Sequence, residues 1–514
     1  MKNLLFILLF LYTVLPRISA QEIVELKKPG FDIVVVKMMF KNGSITDPKG
    51  KEGLTNLVGN IISEGGTQTL TKSQIDEKIY PMAAQYSFSV DKEVSVLTFQ
   101  VHKDFLDKFY AIAKDLVLAP AFSEADFNRV KSNQLNYVSQ VIKASSDEEY
   151  SKKALEDFLF RGTNYQHMVE GTASSVAAIS LTDVKAHYKK YFTKYNLTVG
   201  VAGDYPQDFL KRLKDDMAGL DSPKPVLPSV GKARAPKGIE VEIISKENTL
   251  GSAVFAGFPL NITRSNDEFA ALMVANSWLG EHRKAYGKLY NKIRETRSMN
   301  YGDYTYIEWY ENGGQNLLPQ TGVPRTSNYF SLWLRPVQTA EQLKQQYPEL
   351  KDIKVGHAHF AMRLAIREID MLIKNGLTQK DFEATRDFLR SYVKLYIQTP
   401  EKELGFLMDS KFYGRKNYIS ELDVLLGKLD LASVNSAVKK YLQVNNLCVT
   451  VVTDDSEAAP LSQSLLSNAT SPMSYSNTVK QGLPAEVLKE DEEVAKYKLN
   501  IATVKIIKNE DTFK

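Results

Sequence analysis

The stretch Lys51-Glu52-Gly53-Leu54-Thr55-Asn56-Leu57-Val58-Gly59-Asn60, continuing through Ile61-Ile62-Ser63-Glu64, decides how the chain is read. Leu54, Leu57, Val58, Ile61 and Ile62 keep the i, i+3, i+4, i+7, i+8 spacing of a helix lying on a core. Asn56 and Asn60 share one side of that helix, away from the apolar stripe, so they face a cavity or solvent. Before it, Ile33-Val34-Val35-Val36-Lys37-Met38-Met39-Phe40 is a β-rich run closed by the turn signal Lys41-Asn42-Gly43. After it come strand patterns at 85–90 and 94–101, then amphipathic helices over 103–118, 124–144 and 147–160. Leu181-Thr182-Asp183-Val184-Lys185 opens a further helix, and 197–203 reads as a strand.

The same order then recurs. Pro223, Pro225, Pro228 and Pro236 punctuate 219–238, which lacks apolar periodicity and reads as a linker. Beyond it, 239–245 and 252–258 look like strands, 268–279 and 284–297 like helices, and 301–309 and 328–334 like paired strands. Helical patterns follow at 359–375, 379–397 and 431–442, with a closing strand at 447–452. The polar, Pro-containing region 317–345 reads as a long loop around its strand. The tail over 460–476 is Ser-rich, and 499–507 forms a last strand. The expected architecture is α+β: two domains of related topology, 21–218 and 239–514, each a mainly antiparallel sheet covered by helices.

Composition agrees with a globular chain of more than one core, at 514 residues, 43% hydrophobic and 25% charged. A formal charge of +4, from 65 basic and 61 acidic residues, offers no basic field for phosphates, so nucleic acid is not an expected partner. Met1-Lys2-Asn3, the apolar run 4–15 and Ser19-Ala20-Gln21 have the form of a signal peptide over 1–20, cut after Ala20. No later run is apolar enough to span a bilayer. The expected location is periplasmic or extracellular, with no transmembrane segment after cleavage. Cys448, the one cysteine, lies in a buried strand pattern, so no intrachain disulfide and no redox role are expected.

The stretch from Gly53 to Asn60 resembles the zinc helix of the pitrilysin/insulinase metallopeptidases, which reads Gly-Leu-x-His-x-x-Glu-His. Two further matches agree in order. Val169-Glu170-Gly171-Thr172, Ile179 to Val184 and Tyr191-Phe192 to Asp204 resemble the close of that family's N-terminal domain. Leu289 to Tyr301 resembles its Leu-Arg-Glu-x-x-x-x-x-Tyr segment. In active members two His bind zinc and the Glu deprotonates the metal-bound water. Here those positions are Asn56, Gly59 and Asn60. The family's third ligand, a Glu, is expected to fall near Leu135-Asn136-Tyr137, at Asn136 or Tyr137, and neither is acidic. The chain is therefore expected to hold no metal and to have no catalytic residues of its own.

The second-half segment is kept. The resemblance implies that Arg294 and Tyr301, seven apart, contact backbone oxygens of a bound peptide; the plainer alternative is an Arg–Glu surface pair with a core tyrosine. The strand at 84–90 occupies the place where the family pairs an extended substrate with a sheet edge. His357-Ala358-His359 lacks an acidic or cysteine companion at ligand spacing, and His102, His167, His187 and His282 read as ordinary polar or core residues.

The resulting expectation is a non-catalytic subunit of an exported two-chain zinc peptidase. Its zinc would sit in a sibling subunit, to which this chain supplies the substrate-binding pair Arg294 and Tyr301. The alternatives are a peptide-binding or scaffold protein without hydrolytic activity, and pairing of the chain with itself.

Overall fold

The computed structural model describes residues 22–144, 146–221, 224–249, 251–281, 284, 286–310 and 320–514. The signal-peptide segment and His282 lie outside the described residues.

The first sheet contains β1 (Glu22–Lys27), β2 (Ile33–Phe40), β3 (Gln85–Val90), β4 (Ser95–His102) and β5 (Leu197–Gly203), in the order β1-β5-β2-β4-β3. The second contains β6 (Ile239–Ser245), β7 (Ser252–Pro259), β8 (Asp303–Tyr306), β9 (Tyr329–Val337), β10 (Cys448–Thr453) and β11 (Ile501–Lys508), in the order β11-β6-β10-β7-β9-β8. Each begins with a parallel pair, β1 with β5 and β6 with β10, and continues antiparallel through β2-β4-β3 or β7-β9-β8. The second sheet repeats the first with β11 added, parallel, outside β6. This is the mixed α+β architecture expected from the sequence.

The longer helices of the first half are α1 (Leu54–Glu64), α2 (Leu106–Leu118), α3 (Glu124–Asn136), α4 (Asp147–Leu159) and α5 (Leu181–Tyr191). Those of the second half are α6 (Phe269–Gly280), α7 (Ala358–Asn375), α8 (Gln379–Val393), α9 (Pro400–Phe412), α10 (Leu431–Tyr441), α11 (Asp455–Ser467) and α12 (Ala485–Lys496). On one face of the first sheet, Leu57, Val58 and Ile61 of α1 join Phe109 and Leu116 of α2 and Val184 of α5 in a single core. The corresponding face of the second sheet is filled by α6, α7, α8 and α10.

The opposite faces are covered by exchange. α4, from the first half, lays Leu155, Phe158 and Leu159 on Phe255 of β7, Trp333 of β9 and Cys448 of β10. α9, from the second half, lays Leu404 and Met408 on Val35 and Met39 of β2 and Ala202 of β5. Each such side chain contributes about 1.5–3 kcal/mol when fully buried. Gly200 is the residue that lets α9 approach, since a Cβ there would lie 2.5 Å from the Met408 sulfur.

Four expectations need correction. The helix expected over 124–144 is broken by a π-turn at Tyr137–Val141, and residues 290–295 within 284–297 also form a π-turn. The loop expected around the strand in 317–345 also holds a short helix, Ala340–Gln346, started by a Thr339–Gln342 capping box, while the strand is β9. The first part of the Ser-rich tail, 460–467, belongs to α11, which tolerates Pro460 in its second turn. The tail also supports α7: His357 Nε2 meets Ser474 O at 3.1 Å and His359 Nδ1 meets Ser464 Oγ at 2.8 Å. Both rings are buried and structural, and burial brings them down to about 4 and about 3.

Candidate functional site

Helix α1 starts where the sequence placed it because its first turn is tightly satisfied. Asp47 accepts from the Gly53 and Thr55 amides, both at 2.7 Å, and from Thr55 Oγ1 at 2.6 Å. Gly53 has φ of 94°, and a Cβ there would come within 2.3 Å of Glu170 O, so only glycine fits. Thr55 Oγ1 also meets buried His187 Nε2 at 2.9 Å, which fixes α1 to α5.

Asn56 and Asn60 are half-buried, and Asn56 lines a cavity of ≈ 190 Å³ with Phe88, Ser89, Lys153, Glu170 and Trp309. Two observations show that the zinc of the family's active members does not fit here. A Cβ at Gly59 would stand 2.4 Å from the Phe88 ring, so the aromatic occupies the space a glutamate base would need. The residue facing Asn56 is Gln134, whose Oε1 accepts from Asn56 Nδ2 at 3.1 Å. Its Nε2 donates to Gly53 O at 2.9 Å and Glu170 O at 2.8 Å, so this buried amide is already committed. The expectation of Asn136 or Tyr137 at the third position is therefore corrected to Gln134. Asn136 is exposed and Tyr137 lies at the π-turn. Among the described residues no group of three or more His, Cys, Asp or Glu could hold a metal ion.

The cavity is closed by residues of the second half. Arg325 donates to Asp91 at 2.7 and 2.6 Å and to Glu156 at 2.5 Å, with its guanidinium 4.4 Å from the Trp309 ring. Lys92 lies 3.2 Å from Glu156 and donates to Tyr165 O at 2.9 Å. Although burial alone would raise Glu156, Lys92 and Arg325 hold its carboxyl down to about 2. The turn between β3 and β4 is thus bound by charge to the segment leading into β9.

Arg294 and Tyr301 do come together, but elsewhere. They line a groove of ≈ 840 Å³ with Ser298, Asn300, Arg335 and Gln338. The Arg294 guanidinium lies 4.8 Å from the Tyr290 ring and 5.9 Å from the Tyr301 ring. Tyr301 is 76% exposed, which removes the core-tyrosine alternative, and the Arg294–Glu295 pair is loose at 3.7 Å. The turn presenting Tyr301 is anchored at both ends. Buried Arg297 pairs with Asp491 at 2.7 Å and Glu490 at 2.8 Å on α12. Asn300 Nδ2 donates to Asp303 Oδ1 at 2.8 Å and Arg335 O at 3.0 Å.

The groove and the Asn56 cavity share no lining residue among those described. Helix α4 connects them, with Lys153 and Glu156 at the cavity and Glu148 within 2.8 Å of Arg335 at the groove. Eight residues of helix separate Glu148 from Glu156, a rise of about 12 Å. Sequence reasoning missed Phe88, Gln134 and Arg335. Phe88 gave no signal beyond strand alternation, and Arg335 read as an ordinary strand residue.

Comparison with known proteins settles the ancestry. A family model described as insulinase (peptidase family M16) matches residues 23–173, and one described as peptidase M16 inactive domain matches residues 178–389. The chain belongs to the M16 peptidase family. Within M16 it is of the zinc-less, non-catalytic type, with Asn56, Gly59 and Asn60 at the positions of the metal helix. A "non-peptidase homolog YmxG" of Helicobacter pylori is 22% identical over 423 residues, covering 82% of this chain and 88% of the relative. A "probable inactive metalloprotease YmfF" of Bacillus subtilis is 20% identical over 357 residues, covering 64% of this chain and 82% of the relative. The crystal structure of a peptidase M16 inactive domain from Pseudomonas fluorescens shares the fold, with a TM-score of 0.71 at 17% identity over 85% of this chain and 96% of that one.

Proposed function

We propose that this M16 chain is the non-catalytic subunit of an exported two-chain peptidase and lends Arg294 and Tyr301 to a zinc-bearing sibling. The observation that carries the reading is the placement of that pair. Both side chains are presented in an open groove, on a turn fixed by Arg297 and Asn300 and apart from the cavity at the chain's own altered helix. A guanidinium and a phenol so held donate N–H and O–H to successive carbonyl oxygens of an extended peptide. Fixed donors aimed at a substrate carbonyl orient it and favour negative charge developing on its oxygen. The names of these two relatives, a non-peptidase homolog and a probable inactive metalloprotease, agree with a chain that does not cleave by itself.

Purification of the tagged mature chain from its native extract tests the partnership. A stoichiometric M16 partner carrying His-x-x-Glu-His is the expected result. In the reconstituted pair, Arg294→Ala is expected to lower kcat by about 10²–10³-fold, the scale for losing one such donor. Full activity of that variant would sink the proposal.

A second reading, a peptide-binding or scaffold protein without a hydrolytic partner, is favoured by β3. This strand ends the first sheet, pairs among the described residues only with β4, and alternates exposed with half-buried side chains. Its outer main-chain groups are placed to receive an added strand. Recovery of the chain without a peptidase partner, together with peptide binding, would favour this reading.

A further inference from the structure

The groove holds two arginines rather than one, and the second has no counterpart in the sequence motif. Arg335 lies on β9 next to Leu334, the partner of Asp303 on the edge strand β8, and its carbonyl accepts from Asn300. Its Nε lies 2.8 Å from Glu148 Oε2, yet this ion pair lacks hydrogen-bond geometry and Nε has no hydrogen-bond partner. Arg294 makes no hydrogen bond from its guanidinium among the described residues. Its nearest carboxylate is the half-exposed Glu295 at 3.7 Å, a pair weakened by solvent. Beneath them Asp303 is fully buried, with Oδ1 held by Asn300 and Oδ2 without a partner. Burial lifts the Asp303 carboxyl well above the usual range even against the pull of Arg335 and Arg294. Burial thus opposes a negative charge on Asp303; the carboxylate paired with Arg335 is Glu148, at its Nε, and among the described residues Arg294 has only the loose pair with Glu295.

We propose that Arg294 and Arg335 together form a subsite for a carboxylate of the bound peptide, either an Asp or Glu side chain or a free C-terminus. The inference rests on the reading of Arg294 and Tyr301 as peptide-binding residues and gives that site a preference. Guanidinium forks match carboxylates in a bidentate, charge-assisted geometry that backbone carbonyls cannot satisfy. Ser298, Gln338 and Gln346 along the same groove supply neutral partners for the flanking amides. Arg294 would then serve both the backbone and the carboxylate, while Arg335 would be the residue that distinguishes acidic from neutral peptides.

The test is fluorescence anisotropy on the full chain with three labelled peptides of equal length. One carries an internal Glu and an amidated end, one Gln with an amidated end, and one Gln with a free C-terminal acid. One or both acidic peptides are expected to bind about tenfold tighter or more than the neutral peptide. The arm that gains identifies the source of the carboxylate. Arg335→Gln is expected to abolish the difference between acidic and neutral peptides, and Arg335→Lys to retain part of it. Equal binding of all three peptides, or an undiminished preference in Arg335→Gln, would overturn the inference. N-acetylglutamate α-amide, N-acetylglutamine and N-acetylglutamine α-amide carry a side-chain carboxylate, a terminal carboxylate and neither; titrated against the 15N-labelled arginine Nε–H signals, they separate the two readings. A shift of Arg335 with either acid but not with the neutral amide, without binding of any peptide, would remove the peptide-binding role and keep the carboxylate subsite. No shift with either acid would overturn the subsite, whatever the neutral peptide does.

Discussion

Arg325 and Asp91 lie 234 residues apart in sequence and meet through two hydrogen bonds, Nε to Oδ2 at 2.7 Å and Nη2 to Oδ1 at 2.6 Å. Both are buried, and the same guanidinium reaches Glu156. Removing the arginine leaves two carboxylates buried with one fewer cation. Arg325→Met is expected to destabilise the protein by about 3–5 kcal/mol, measured by urea unfolding. A loss under about 1 kcal/mol would mean that the charged contact between the halves contributes little.

Gly59 inverts an ordinary rule. Alanine in a helix interior is normally about 0.5–1 kcal/mol better than glycine. At Gly59 the new methyl would lie 2.4 Å from the Phe88 ring and 3.2 Å from Val90 Cγ2. Gly59→Ala is therefore expected to destabilise by about 1–3 kcal/mol. Adding Phe88→Leu is expected to recover part of that loss, measured as a double-mutant cycle in the unfolding midpoint.

Two arginines three residues apart should behave oppositely. Arg294 is partly exposed and lacks hydrogen bonds among the described residues, so Arg294→Ala should change stability by less than about 0.5 kcal/mol. Arg297 is buried between Asp491 and Glu490, and Arg297→Ala should cost about 3–5 kcal/mol. Thermal unfolding of the two variants side by side checks this. It also qualifies Arg294→Ala for the functional experiment as a variant that folds.

Burial pushes the Asp409 carboxyl up to about 7, only partly opposed by Arg264 and the Gly322 amide, which lies 3.1 Å away. The unfolded chain titrates this group near about 4, so between those values the folded state holds the proton. Stability from this residue is thus lost as pH rises from about 4 to about 7. Asp409→Asn keeps an acceptor for Gly322 and cannot titrate, so its unfolding temperature should gain on the wild type between about pH 5 and pH 7. A constant difference across that range would refute the assignment.

The histidines of α7 carry the opposite sign. His357 and His359 are held by burial at about 4 and about 3, below the unfolded value near 6.5. Here the unfolded chain takes the proton first, so stability falls as pH drops from about 6.5 toward 4. His357→Gln, which retains a donor for Ser474 O, should flatten that acid limb in unfolding scans at successive pH values.

What the sequence disclosed follows from which signals are local. The α1 stripe, the β4 run and the seven-residue step from Arg294 to Tyr301 lie within single elements, where periodicity fixes direction. Gln134 did not, because counting from Asn60 passes through several turns whose lengths vary independently of the site. Asn136 lies two residues beyond Gln134, about 200° around the helix, enough to turn its side chain away from Asn56, and Tyr137 already belongs to the π-turn. Phe88 and Arg335 act through contacts between separate elements, and no spacing in the chain encodes those. The groove's separation from the Asn56 cavity was likewise invisible, since it depends on α4 lying on the second sheet.

That crossing of α4, answered by α9 on the first sheet, means that neither half closes its own core. A chain severed in the linker would yield two fragments, each with one bare apolar sheet face and one orphaned helix. Such fragments are expected to be insoluble when made separately and to reassemble when made together, as complementary pieces do. Synthesis imposes the same order in the cell. The first sheet must wait with Val35, Met39 and Ala202 uncovered until residue 408 has emerged, more than two hundred residues later. The interval is a period of exposure during which a holdase or a partner subunit would have its best access to this chain.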